Sequence, residues 1–136
     1  MVGLGETLVG NHPGSAMRFT AATPEQVIVA ALPSKLEAMK MMESSVICRS
    51  DSNGEDLENF AGAGLYASFM TNGVSTHTVN YANEPLLWDA SFCTSLGGKL
   101  AGVAKTLEIL LGAPQDIEGA VVGDVVYLLQ ARPQQL

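Results

Sequence analysis

The stretch Gln115-Asp116-Ile117-Glu118-Gly119, followed by Tyr127-Leu128-Leu129-Gln130-Ala131-Arg132-Pro133, carries the strongest structural signal in this chain. Between the two segments lies Val121-Val122-Gly123-Asp124-Val125-Val126. This pattern predicts a β-hairpin, because Gly and Asp accept the backbone angles of a tight turn and valine favours strands. Two carboxylates, one amide and one guanidinium therefore lie on the two arms of one hairpin.

The length of the hairpin turn decides whether these polar side chains share a face. Side chains directly opposite each other in an antiparallel pair point to the same face. With a plain two-residue turn, Glu118 would face Leu129, and Gln130 would point away from Glu118. We therefore predict either a three-residue turn or a single bulge, since each brings the polar side chains together. The side chains that then share a face are Asp116, Glu118, Gln130 and Arg132.

The chemistry of these four side chains indicates a magnesium-bound nucleoside triphosphate. Carboxylate and amide oxygens are suitable ligands for Mg²⁺. The planar, permanently charged guanidinium of Arg132 suits a phosphate group. The alternative is an ordinary polar surface on an edge hairpin, which the same four residues would also form. Their clustering within an otherwise apolar hairpin favours the binding site.

A second polar constellation runs from Arg49 to Asp56, as Arg-Ser-Asp-Ser-Asn-Gly-Glu-Asp. An arginine that leaves a strand into such a loop can hold a phosphate, with hydroxyls and backbone N–H groups around it. The alternative is a capped loop in which Asp56 pairs with Arg49. The segment Gly3-Leu4-Gly5-Glu6 resembles a phosphate loop but lacks the Lys and Ser/Thr of a P-loop, so it is a weak signal.

Composition limits the class of function. The 136 residues fit one domain, 1–136, and the net charge of -7 disfavours nucleic acid, which needs a basic face. No apolar run is long enough to span a membrane.

Cys48 and Cys93 lie in apolar stretches and are expected to be buried, reduced thiols. His12 and His77 have no partner at catalytic or metal spacing, so we expect structural or solvent-facing roles for both.

A long helix is predicted from Phe92 to Leu111, where apolar residues recur at steps of three and four. Ser91 or Asp89 is the expected cap at its start, and Gly112 the expected left-handed end. Three glycines within the helix indicate close approach to a neighbouring sheet. The predicted apolar stripe comprises Phe92, Leu96, Leu100, Val103, Leu107 and Leu110.

Strands are predicted elsewhere from short apolar or alternating runs. The run at Val27–Ala31 indicates a buried strand, Val46–Arg49 a strand that ends in the polar loop, and Thr76–Tyr81 a half-buried strand. The Met- and Lys-rich segment 35–43 is either a short helix or a connector.

Taken in order, these segments resemble the C-terminal end of plant and algal alpha-glucan water dikinases, and more distantly the nucleotide-binding domain of pyruvate phosphate dikinase and phosphoenolpyruvate synthase. The related phosphoglucan water dikinase has similar motifs in a different order. The matching motifs are Gly3–Gly10, Arg49–Glu58, Ala61–Tyr66, Gln115–Gly119 and Gln130–Gln134.

The resemblance implies an α+β fold, namely part of an ATP-grasp-like nucleotide-binding domain with an antiparallel sheet, a long helix and a C-terminal hairpin. It implies ATP and Mg²⁺ as cofactors, with the β-phosphate passing to a histidine and then to an alpha-glucan, and the γ-phosphate to water. By motif, Glu118 and Gln130 match magnesium ligands. The positions that match nucleotide contacts are Arg49, Asp116, Arg132 and, less specifically, Glu6.

The departures from the family pattern also carry expectations. The phosphohistidine domain, the first half of the ATP site and the starch-binding modules have no match here, so we expect a fragment that is inactive alone. Missing domains or a partner chain would then supply the rest of the site. A chloroplast location is implied by the family, although no transit peptide is visible. The alternatives are a non-catalytic nucleotide-binding or interaction module, or a fragment without a stable fold.

Overall fold

The computed structural model describes residues 16–33, 38–42, 47–49, 68–72, 74–78 and 80–134. The chain divides into two compact units, one from Met1–Met17 and Leu32–Trp88, the other from Arg18–Ala31 and Asp89–Leu136. The strands are β1 (Arg18–Ala21), β2 (Val27–Ala31), β3 (Ala38–Met42), β4 (Ile47–Arg49), β5 (Ser68–Met70), β6 (Val74–Thr78), β7 (Gln115–Val122) and β8 (Val125–Pro133). A long helix, α1, covers Ala90–Leu111, and short 3₁₀ turns lie at Tyr81–Asn83 and Pro85–Leu87. Antiparallel strand pairs with a separate helix confirm the predicted α+β class.

Among its described residues, the first unit has two antiparallel strand pairs, β3 with β6 and β4 with β5. The prediction for segment 35–43 was wrong, because Ala38–Met42 is a strand and neither a helix nor a connector. Met and Lys favour helices weakly, and pairing with a distant strand overrides that preference. The strand predicted at Thr76–Tyr81 begins earlier, at Val74, and ends at Thr78.

The cysteine of β4 also departs from the expectation. Cys48 is exposed, whereas Cys93 in the second unit is fully buried, and neither forms a disulfide. Burial raises the pKa of the Cys93 thiol, and the negative charge of Asp89 raises it further. The apolar neighbours of Cys48 in the sequence therefore do not bury it.

In the second unit, β1 and β2 form a hairpin with one covered face. Phe19 pairs with Val29 and Ala21 with Val27, and these side chains are half-buried, whereas Ile28 is 70% exposed. The strand at Val27–Ala31 was predicted correctly, but its burial on both faces was not. A hairpin that is covered by a helix on one side alone leaves alternate residues in solvent.

Helix α1 has the caps that the sequence predicts. The Asp89 carboxylate accepts hydrogen bonds from the backbone N–H groups of Ser91 (2.9 Å) and Phe92 (3.0 Å). Gly112 ends the helix with φ 76°, in the left-handed region, and its N–H donates to the carbonyl of Glu108. Asp89, rather than Ser91, is therefore the N-cap.

Two glycines in α1 bring the helix against the β1–β2 hairpin. A Cβ at Gly97 would lie 2.7 Å from Val27 Cγ1, and one at Gly98 would collide with the carbonyl oxygen of Pro24. The predicted close approach is thus confirmed at these two positions, whereas Gly102 has only Pro24 Cγ at 3.9 Å.

The predicted apolar stripe of α1 is only partly covered. Its central members are half-buried, but Phe92 is 40% and Leu110 73% exposed. The most buried helix positions are Cys93, Gly97 and Gly98. The stripe prediction missed this face because the small residues, rather than the leucines, allow the closest approach.

Candidate functional site: the C-terminal hairpin

The turn between β7 and β8 contains two residues, Gly123 and Asp124. Val122 pairs with Val125, and Gly123 has φ 58°, a left-handed conformation that glycine adopts without strain. Such a conformation suits the tight hairpin turns that follow the natural twist of the strands. A three-residue turn, one of the two predicted irregularities, is therefore not used.

The second predicted irregularity, a single bulge, is present at the step between Glu118 and Gly119. Gly119 pairs with Leu128, but the next residue of β7, Glu118, pairs with Gln130, which leaves Leu129 as an extra residue in β8. A Cβ at Gly119 would lie 2.7 Å from the carbonyl oxygen of Tyr127, so the strand opposite the bulge requires a residue without a side chain. The bulge prediction is confirmed.

The bulge places four polar side chains on one face of the hairpin. Glu118 lies opposite Gln130, and Asp116 lies opposite Arg132. Because alternate residues of a strand share a face, all four side chains point to the same side. We call this set, Asp116, Glu118, Gln130 and Arg132, the polar face.

Within the polar face, Arg132 and Asp116 form an ion pair. Arg132 Nε donates to Asp116 Oδ2 at 3.1 Å, and Arg132 Nη2 lies 3.0 Å from the same oxygen. The Arg132 side chain is 26% exposed and that of Asp116 is 52% exposed. Glu118 is exposed and Gln130 half-buried. The site is thus a surface site that can be reached by a ligand from solvent.

Neighbouring contacts fix both ends of the hairpin. At the open end, the Gln134 N–H donates to the carbonyl of Pro114 at 2.9 Å, and Gln115 Nε2 donates to the carbonyl of Ala113 at 2.7 Å. At the turn, Lys99 Nζ from α1 lies 3.0 Å from the backbone oxygen and 3.1 Å from Oδ1 of Asp124. The sequence reasoning missed Lys99, because a contact between residues 25 positions apart leaves no local pattern.

The same side of the hairpin becomes apolar towards the turn. Val122, Val125 and Tyr127 follow the polar face in register and are 65%, 52% and 51% exposed. The sequence reasoning did not single them out as one surface. The sequence contained the necessary information, since a hairpin with the predicted bulge places these three residues on the side that carries Glu118.

The donor set of the polar face is compatible with a magnesium ion. Formal charges of -1 on Asp116, -1 on Glu118 and +1 on Arg132 leave the face negative, which attracts a cation. Among the residues that the structure describes, no group of three or more His, Cys, Asp or Glu is placed to hold a metal ion. Mg²⁺ does not require such a cage, because it binds through one or two carboxylates together with substrate phosphates and water.

Two further site residues were predicted, Arg49 and Glu6. Arg49 is the last residue of β4, in the first unit. Glu6 and His12 lie outside the described residues, as do the phosphate-loop-like segment and the polar loop from Ser50 to Asp56. His77 lies in β6, where it pairs with Met39.

Among the described residues, no helix is long and apolar enough to cross a membrane.

Comparison with known proteins identifies similar chains. Over 134 residues, or 97% of this chain, it is 46% identical to alpha-glucan water dikinase 2 of Arabidopsis thaliana. Over the same share it is 42% identical to the chloroplastic alpha-glucan water dikinase of Solanum tuberosum, and 40% identical to the chloroplastic alpha-glucan water dikinase 1 of Arabidopsis thaliana. The chain spans 9–10% of the length of these relatives.

No family model matches the chain, and no solved structure matches it.

Proposed function

From the premise that this chain belongs to the alpha-glucan water dikinase family, we propose that its C-terminal hairpin contributes the magnesium and phosphate side of an ATP site. The chain spans about one tenth of the length of these relatives. The observation that carries the proposal is the bulge, which brings two carboxylates, an amide and a guanidinium onto one face. A plain hairpin of this sequence would divide the same groups between two faces.

Each member of the polar face has a chemical role in this proposal. Glu118 and Gln130, which lie directly opposite each other, hold Mg²⁺ through their side-chain oxygens. The bound ion offsets negative charge on the phosphates. Arg132 donates to a phosphate oxygen, as its planar fork and permanent charge allow. Asp116 accompanies Arg132 through the ion pair described above.

Two further nucleotide contacts, Arg49 and Glu6, are proposed outside the hairpin. Arg49, the last residue of β4, precedes a sequence segment rich in Ser, Asn and Gly, and an arginine at such a position suits a second phosphate contact. Glu6 is proposed on its match to the family motif alone. We expect the whole domain to have an ATP-grasp-like fold, in which this chain supplies one part of the nucleotide cleft.

The reaction proposed for the complete protein follows from the family. The β-phosphate of ATP passes to a histidine and then to an alpha-glucan such as starch, and the γ-phosphate passes to water. No residue of this chain is proposed as the phosphorylated histidine, so the chain alone is expected to bind ATP without completing the transfer. The relatives from Solanum tuberosum and Arabidopsis thaliana are named chloroplastic, and we propose a plastid location for this protein as well.

The proposal is tested by calorimetric titration of the chain with ATP, in the presence of Mg²⁺ and again with the metal chelated. We expect binding that requires magnesium. Glu118→Gln and Arg132→Ala should each weaken it about tenfold or more, since each removes a charged interaction with the bound complex.

Glu25→Gln is the matched control for Glu118→Gln. It makes the same chemical change on an exposed residue between β1 and β2, which is not a member of the polar face, and should leave the affinity unchanged. A folded chain that binds no Mg-ATP, or equal affinity in all variants, would contradict the proposed function.

A further inference from the structure

We infer that Asp116 is a positioning residue that orients the Arg132 guanidinium, and that it contacts neither the nucleotide nor the metal itself. The inference rests on the proposed function, and it assigns Asp116 a role that the family motif does not distinguish from direct binding. It starts from the ion pair between two residues that lie directly opposite each other across the hairpin.

The geometry of the pair fixes the guanidinium in orientation as well as in position. Two donors of one planar group, Nε and Nη2 of Arg132, lie 3.1 and 3.0 Å from a single acceptor, Asp116 Oδ2. The hydrogen bond from Nε and the ion-pair contact of Nη2 hold the same edge of the guanidinium towards that oxygen, and so restrict rotation about the long side chain. Holding a phosphate contact in place before binding lowers the ordering cost that binding would otherwise include.

The same pair argues against Asp116 as a metal ligand. Its Oδ2 already accepts from the guanidinium, so a metal ion at that oxygen would displace a cation that is only partly exposed to solvent. A metal ion on the other carboxylate oxygen would lie close to the positive charge of Arg132, and like charges at such a distance repel. Glu118 lies opposite the neutral Gln130, whereas Asp116 lies opposite the positively charged Arg132, so the Glu118–Gln130 pair is the better metal position.

A double-mutant cycle separates positioning from direct contact. Mg-ATP affinity is measured by calorimetry for Asp116→Ala, Arg132→Ala, the double variant and the unsubstituted chain. We expect Asp116→Ala to weaken binding about tenfold in the parent chain, and to cause no further loss when Arg132 is already alanine. An equal loss in both backgrounds would show direct contact and overturn the inference.

A second arm does not require nucleotide binding. The Nε–H proton of Arg132 is followed by ¹⁵N NMR without ligand, with Arg18 of β1 as an internal reference. In the parent chain we expect slow exchange of this proton with water, and in Asp116→Asn and Asp116→Ala a faster exchange at Arg132 but not at Arg18. Unchanged exchange would overturn the inference. If the parent chain bound no Mg-ATP, the proposed function would fail, and this arm would still decide the role of Asp116.

Discussion

At the residue scale, glycines set how closely helix α1 approaches the β1–β2 hairpin. A Cβ at Gly98 would collide with the backbone carbonyl of Pro24, which cannot turn away as a side chain can. At Gly102, one turn further along, the nearest atom to a Cβ is Pro24 Cγ at 3.9 Å, an ordinary contact distance. The two positions therefore offer the same substitution with opposite expected results.

We predict that Gly98→Ala destabilises the chain by about 1–3 kcal/mol, because the helix must move away from Pro24. Gly102→Ala should stabilise it by up to about 1 kcal/mol, since alanine favours the helical backbone and meets open space. Chemical denaturation of both variants, followed by circular dichroism, measures the two free energies of unfolding. A destabilisation by Gly102→Ala as large as that by Gly98→Ala would contradict the packing described here.

The residues that the sequence predicted well are those whose role is local. Asp89 and Gly112 cap α1 through contacts with their own neighbours in the chain, so their types and positions were sufficient. Cys48 and Ile28 were predicted to be buried and are exposed. Burial depends on what covers a strand from elsewhere in the chain, and an apolar run does not contain that information.

At the element scale, the register of the C-terminal hairpin controls the proposed site. Leu129 is the extra residue of the bulge, and it is 70% exposed. Removing it would leave Glu118 opposite Gln130 and Asp116 opposite Arg132, now in a regular ladder. Removing Ala131 has a different effect. If the bulge is kept, Arg132 turns to the other face of the hairpin. If the bulge is lost and the ladder becomes regular, Gln130 turns to the other face instead.

We predict that deletion of Leu129 preserves Mg-ATP binding and that deletion of Ala131 weakens it about tenfold or more. Each variant lacks one residue of the same strand, so the pair controls for the shortening of β8. Calorimetric affinity is the measurement, with NMR spectra to show that each hairpin is folded. Equal affinities in the two variants would mean that the shared face is not what binds the ligand.

Helices and strands could be predicted from the sequence where a periodic pattern or a tight turn lay within a single segment. Helix α1 and the β7–β8 hairpin were predicted because a 3.6-residue period and a Gly-Asp turn lie within single segments, and the bulge followed from requiring one polar face. Strand β3 was missed, since it is defined by pairing with β6 more than 30 residues away. The Lys99 contact with the hairpin turn was missed for the same reason.

At the scale of the whole molecule, the resemblance contributed what local patterns could not. It joined segments that lie far apart in the sequence, and comparison with dikinases from two plants confirmed the family at 42–46% identity. The roles of Arg49 and Glu6 remain predictions. Arg49 belongs to the other compact unit, and Glu6 lies outside the described residues.

Exposed apolar surface is extensive in the second unit. Ile109, Leu110 and Leu111 at the end of α1 are 69%, 73% and 55% exposed, and Val122 and Leu129 on the hairpin are 65% and 70% exposed. Exposed apolar surface of this kind is typical of interaction sites. It is compatible with the proposal that this chain supplies one part of a larger nucleotide cleft.

The most direct test of the central claim is to locate the metal–nucleotide complex on the whole chain. Mn²⁺, which also prefers oxygen ligands, replaces Mg²⁺ with ATP, and its paramagnetic broadening of backbone amide signals is mapped by NMR. We predict broadening centred on residues 116–118 and 130–132, and its loss in Glu118→Gln. Broadening centred elsewhere, or none in a folded chain at saturating ATP, would contradict the assignment of the polar face as the magnesium and phosphate site.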